Sequence, residues 1–222
     1  MKHKHKITPY MVFATLIMIV LGLTACGSGG GGGDPGGGKP LIISGQAVKG
    51  PVSGGTVTAY AGASGAKGAV LKTVVTDASG NYNLSIESYS GPVFLEITGG
   101  SYTDEATGAT INLPTTIGSC LQAVVANVSP GGTLQAQITP LTTMAAALAL
   151  AKSGGLTGTN INAANQQIGT YFGGLDSINT RPINPMVSGS ASGATQEAIN
   201  YGLILGGLSQ QAKTLNLSNP LY

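Results

Sequence analysis

From Leu41 onward the sequence alternates with a period of two, and that alternation constrains the fold more than any other feature. Ile43, Gly45 and Ala47 fall on one side of the first run, and Val57, Ala59 and Ala61 share a side between Thr56, Thr58 and Tyr60. Leu71, Thr73 and Val75 follow. Tyr82, Leu84 and Ile86 alternate with Asn81, Asn83, Ser85 and Glu87, and Val93, Leu95 and Ile97 with Phe94, Glu96 and Thr98. The pattern returns at Leu121, Ala123 and Val125, and again at Leu134, Ala136 and Ile138. Successive strand side chains point to opposite faces, so each run offers one side to a core. Turn-forming clusters separate the runs: Lys49-Gly50-Pro51, Ser53-Gly54-Gly55, Asp77-Ala78-Ser79-Gly80-Asn81, Ser90-Gly91-Pro92 and Pro130-Gly131-Gly132. About seven short half-buried strands with frequent turns predict a mainly β fold, an antiparallel sandwich over residues 41–138.

Three segments then carry a resemblance. Ser44-Gly45-Gln46-Ala47-Val48-Lys49-Gly50-Pro51-Val52, Gly55-Thr56-Val57-Thr58-Ala59-Tyr60 and Thr76-Asp77-Ala78-Ser79-Gly80-Asn81-Tyr82-Asn83-Leu84 resemble the carboxypeptidase regulatory-like domain. That domain is a transthyretin-like sandwich, similar also to Cna protein B-type repeats. The match spans residues 41–99. The last segment has a physical reading of its own. Asp77 and Ser79 can close a turn on their own backbone, Gly80 accepts positive φ, and Tyr82 opens the next strand facing the core. The resemblance implies a non-catalytic spacer or binding module.

Beyond Ile138 the period changes to that of helices, and residues 139–222 are expected to form a small helical region. Thr139-Pro140-Leu141 reads as an N-cap followed by Pro at the first helical position. Met144 to Ala151 is almost wholly apolar, which predicts a helix buried all round, stopped by Gly154-Gly155. A second helix is expected from Asn162 to Phe172, ended by Gly173-Gly174, and a third from about Ala194 to Leu215. In the third, Ala198, Tyr201, Leu205, Leu208, Ala212 and Leu215 form one stripe, with Gly202 and Gly206 expected to allow close packing.

Ahead of the alternating region lies Gly-Ser-Gly-Gly-Gly-Gly-Gly-Asp-Pro-Gly-Gly-Gly, residues 27–38. Such a tract buries nothing and acts as a flexible tether, with an r.m.s. span on the order of 20 Å. No strand precedes it and no Gly-Lys-Ser/Thr follows it, so it is no phosphate loop. Before it, Lys2, Lys4 and Lys6 form a positive segment and Met11 to Leu23 an apolar one, too short to span a membrane but suited to a signal peptide. Leu23-Thr24-Ala25-Cys26 resembles the lipobox of bacterial lipoproteins. The resemblance implies a signal peptide over 1–25, acyl chains on Cys26, and a lipidated tether over 26–40. Gly27, where an aspartate would signal inner-membrane retention in that family, leans the expectation towards the outer membrane.

Three of the ten basic residues lie in residues 1–25, so seven remain against eight acidic ones. That balance offers no electrostatic footprint for nucleic acid. Both histidines, His3 and His5, also lie in 1–25, which removes the commonest general base and zinc ligand from the remainder. The residues therefore predict no catalytic activity, no metal and no cofactor. Asp104-Glu105 is the only adjacent carboxylate pair, with too few ligands around it for a calcium loop, and is expected to be a solvated loop. Lys49, Glu96 and Asn127 are weighed as an intramolecular isopeptide set, which the B-type repeats often carry; alternation turns Glu96 outward and disfavours it. Cys120, left without a partner if Cys26 is acylated, is expected to be a buried apolar-like residue, the alternative being a partner for a cysteine of another chain. Tyr60 and Phe94, on the outward side of their strands, are expected to be exposed anchors for an envelope protein or glycan. The competing reading is a hydrolase, or its accessory subunit, acting on envelope peptide or glycan.

Overall fold

A computed structural model describes residues 38–63, 65–118 and 120–217. Leu23, Thr24, Ala25 and Cys26 lie outside the described residues. The described chain is mainly β, with nine strands and three helices. The strands are β1 Leu41–Gln46, β2 Thr56–Ala63, β3 Ala66–Val75, β4 Asn81–Ile86, β5 Gly91–Thr98, β6 Ser101–Thr103, β7 Thr110–Asn112, β8 Gln122–Val128 and β9 Thr133–Gln135. The helices are α1 Pro140–Ala151, α2 Gly158–Tyr171 and α3 Gln196–Thr214.

One sheet has the order β4-β1-β9, the other β3-β2-β5-β8, and β6 and β7 form a separate hairpin. Alternation does its work between the two large sheets. Leu41, Ile43, Val57, Ala59, Leu84, Leu95, Ala123, Ala136 and Ile138 are fully or almost fully buried there. Near the end of β1, Gly45 lies opposite Tyr82. A Cβ on Gly45 would collide with the Ala136 carbonyl oxygen, which accepts a 2.6 Å hydrogen bond from the Tyr82 hydroxyl. Glycine here lets the β9 extension approach and gives the buried phenol its partner. The Asp77 turn closes as its residues require: Asp77 Oδ1 accepts from the Ser79 and Asn81 amides, each at 2.8 Å, and Gly80 takes φ +76°.

Two strand expectations need correction. The sandwich is not wholly antiparallel, because β9 pairs with β1 in parallel, Ile43 opposite Leu134. After β8 the chain turns at Ser129–Gly132, crosses to the other sheet, and runs alongside β1 as far as the Ala47–Ile138 bridge. On β3, Leu71 and Val74 pack on the core while Val75 is exposed. The cause is irregular pairing around Tyr60, where Ala59 faces Lys72 and Tyr60 faces Val70, so Leu71 is the extra residue.

The helices explain a larger correction. α1 and α2 lie on the outer face of the four-stranded sheet, where Ala146, Ala149, Ile161 and Ala164 pack on Tyr60, Phe94, Val124 and Ala126. Tyr60 is only 8% exposed and Phe94 2%. Both do point away from the inter-sheet core, yet neither is an exposed anchor; their rings meet edge to face at 6.4 Å under the helices. Thr139 caps α1 as expected, in a capping box closed by Thr142. α1 is not buried all round: Leu141, Ala145 and Ala149 are covered, but Met144 is 40% exposed. α2 begins at Gly158 rather than Asn162, capped by Thr157. α3 presents Tyr201, Gly202, Leu205, Ser209 and Ala212 inward, while Leu215 is exposed. Gly202 lies against the Ile183 carbonyl, where a Cβ would clash, whereas Gly206 has only an ordinary contact with Pro185 at 3.7 Å. Close approach therefore explains Gly202 and not Gly206.

Candidate functional site

β1 carries its inward parity past its end to Lys49, so the lysine enters the body while Gly50, at φ +61°, and Pro51 turn the chain back. The side chain of Lys49 is 0% exposed. Its ammonium donates to Asp104 Oδ2 at 3.4 Å, to Glu105 Oε2 at 3.1 Å and to Ser209 Oγ. A lysine has three donors and no acceptor, so these contacts use all of them. Ser209 in turn donates to Glu105 Oε2 at 2.6 Å, and Glu105 Oε1 accepts from the Gly50 amide at 2.9 Å. Asp104 Oδ1 closes its own loop, accepting from the Thr107 hydroxyl at 2.8 Å and amide at 3.0 Å. The Tyr102 ring lies 5.7 Å from the ammonium.

The Asp104-Glu105 segment is thus not a solvated loop, as the sequence suggests, but one side of a buried ion cluster. Burial pushes Asp104 up, but the Thr107 hydroxyl and the Lys49 charge outweigh it and hold the carboxyl below its ordinary value. Burial, with the charges of Asp104 and Glu105, pushes the Tyr102 phenol well above its ordinary range. A serine that donates to a carboxylate is the arrangement of nucleophile and base. Here, however, Ser209 is almost fully buried and its oxygen already accepts from Lys49.

Lys49, Glu96 and Asn127 are not brought together. Glu96 accepts from Lys67 at 2.9 Å, from the Gly118 amide at 2.7 Å and from Gln122 at 3.3 Å, and Asn127 is exposed. Glu96 faces away from the inter-sheet core, as alternation requires, but is buried there with its own partners. Among the described residues no group of three or more His, Cys, Asp and Glu side chains is placed to hold a metal ion.

Beside the ion cluster lies a half-enclosed cleft of about 540 Å³ between α1 and the C-terminal half of α3. Pro140, Met144 and Ala147 form one wall, Leu208, Ala212, Leu215 and Leu217 the other, and Leu121 and Cys120 the floor. Its size is that of sites for small molecules. Gln122, Thr143 and Gln211 supply polar groups, and Lys49 reaches the lining from the cluster behind. The α1 wall is fixed by its N-terminus: Thr142 Oγ1 donates to the Gln122 carbonyl at 2.8 Å, and the Gln122 amide to Thr143 Oγ1 at 2.8 Å. Cys120 is buried and donates to the Pro114 carbonyl at 3.1 Å. Burial, then the nearby Glu96 charge, pushes its thiol up, away from a reactive thiolate.

The described chain is a mainly β sandwich with α1 and α2 packed on the four-stranded sheet and a largely apolar cleft between α1 and α3. No helix among the described residues is long and apolar enough to cross a membrane. A scan against protein-family models finds no match to this chain, and neither does a search of curated proteins.

Proposed function

We propose that this chain is a lipid-anchored cell-envelope protein whose folded part is a non-catalytic binding module, and that the α1–α3 cleft takes an apolar ligand. The cleft is the observation that carries the reading. Most of its described lining is apolar, and among the described residues the one charged group that lines it, Lys49, is already paired with its own carboxylates. Exposed apolar side chains gather at its mouth, Met144, Leu215 and Leu217 among them, and grouped exposed apolar side chains mark interaction sites. The anchor rests on Leu23-Thr24-Ala25-Cys26 and the glycine tract after it. Gly27 supports the outer rather than the inner membrane. The ligand is thereby an uncharged apolar group of the envelope, presented on a protein or lipid, rather than a glycan held by Tyr60 and Phe94.

The neutral fluorescent probe N-phenyl-1-naphthylamine tests this. It should bind the wild-type chain with enhanced emission. Met144→Glu, which sets a carboxylate on the partly exposed wall, should weaken binding by roughly tenfold or more, a difference of about 1.4 kcal/mol. Equal affinity in the two proteins would show that the probe sits elsewhere and remove the cleft from the account.

A further inference from the structure

α3 is held in two different ways along its length. Its N-terminal half is fixed by packing. Tyr201 is fully buried, with its hydroxyl 2.6 Å from Thr139 Oγ1 and donating to the Ser177 carbonyl at 3.1 Å. Gly202 lies flush on the Ile183 backbone, and Leu205 is buried beside it. The C-terminal half, which forms the second wall of the cleft, buries only Ser209 and Ala212, with Leu208 partly buried against the Tyr201 and Leu205 cluster. Among the described residues its polar ties to the rest of the body are Ser209, to Lys49 and Glu105, and Lys213, whose ammonium donates to the Ala106 carbonyl at 2.8 Å.

Between the halves stand Gly206 and Gly207. Neither is called for by packing. A Cβ on Gly206 would meet only Pro185, at 3.7 Å, and one on Gly207 would meet nothing within 4 Å. Glycine in a helix interior is less favourable than alanine and gives the backbone freedom that alanine does not. Paired small residues are also among the recognised sites of helix bending. A helix that gained nothing from bending would be better served by alanine at both positions.

We propose that Gly206-Gly207 is a hinge, and that the Lys49–Glu105–Ser209 cluster is the latch which holds the C-terminal half of α3 as the movable wall of the cleft. The proposal rests on reading the cleft as a ligand site. The wall swings about the glycines to admit a ligand while Tyr201 and Gly202 stay seated. The latch suits this role because it joins elements distant in sequence, the turn after β1 and the β6–β7 loop, to one hydroxyl on α3. Breaking that link loosens the wall, leaving the exposed Lys213 contact as its remaining polar tie, without unpairing Lys49 from its carboxylates.

The test uses the full-length chain and two readouts, amide hydrogen exchange along α3 and the exchange kinetics of N-phenyl-1-naphthylamine. Ser209→Ala should speed amide exchange in residues 208–214 and leave 198–205 unchanged. Equal acceleration in both halves, or none, would mean that α3 moves as one rigid piece and overturn the hinge. The pair Gly206→Ala/Gly207→Ala should slow both association and dissociation of the probe severalfold with little change in Kd. Unchanged rates would also overturn it. Should the probe bind no protein at all, wild type included, the cleft reading falls and the hinge is decided by exchange alone. Adding the two alanines to Ser209→Ala must then reduce the selective acceleration of 208–214, and a triple variant exchanging like Ser209→Ala would sink the hinge.

Discussion

Lys49 ties the turn after β1 to the β6–β7 loop and to α3 in one buried cluster. A buried ion pair is poor evidence of net stability, because desolvation offsets the attraction, but removing one partner leaves a charge stranded. Asp104 is the member whose titration can be followed. Its carboxyl is held below its ordinary 3.8 in the folded chain, so the unfolded chain binds the proton more readily. The stability this contributes is therefore full above about pH 3.8 and is lost as pH falls through the lower, folded value. Asp104→Asn should cost on the order of 1.5–3 kcal/mol at neutral pH, the scale of hydrogen bonds to a charged group. It should also flatten the acid limb of the stability curve. Urea unfolding of both proteins between about pH 6 and pH 2 checks this, and parallel curves would dismiss the ionised Asp104 from the cluster. The sequence shows Lys49 as the start of the Lys49-Gly50-Pro51 turn and Asp104-Glu105 as an adjacent carboxylate pair. What the sequence could not supply was their meeting, since they lie 55 residues apart and no local period links them. Tyr60 and Phe94 failed for the same kind of reason. Their parity was right, but alternation says which side a residue takes and nothing about what later covers that side.

At the scale of elements, several caps and stops are legible in the sequence because they are local chemistry. Thr139 with Pro140, the Gly173-Gly174 stop, and the Asp77 turn each follow from a few adjacent residues. The α3 stripe was read less completely. Tyr201, Leu205 and Ala212 face the body as the three-four spacing requires, whereas Ser209 replaces Leu215 on the buried side. An apolarity pattern cannot find a buried serine whose burial depends on a distant lysine. Leu205→Ala should cost roughly 2–5 kcal/mol, the range for a buried leucine truncated in a packed site. Thermal or denaturant unfolding measures it, and an unchanged midpoint would mean that this part of α3 is not docked. The irregular pairing at Tyr60 and the parallel β1–β9 pair were likewise beyond a reading by period alone, because both are set by how strands meet rather than by any one strand.

At the scale of the whole chain, the proposal joins two things that the sequence separates by a glycine tract: a site of attachment at Cys26 and a body beginning near Leu41. The proposal treats that tract as a plain tether, so it predicts that binding and anchoring are separable by mutation. Each acyl chain contributes about 0.8 kcal/mol per buried CH₂, and a single chain gives only marginal membrane binding, so stable attachment needs more than one. The lipobox reading of Leu23-Thr24-Ala25-Cys26 supplies that multiplicity through one cysteine. Cys26→Ser should therefore either release the protein from the membrane fraction or leave it at its unprocessed mass. The same variant should bind N-phenyl-1-naphthylamine as the wild type does, since the cleft lies wholly within residues 49–217. Fractionation with mass spectrometry reads the first outcome and probe titration the second. Labelled fatty acid that still incorporates into the Cys26→Ser chain would remove the anchor from that cysteine, whatever the cleft is found to bind.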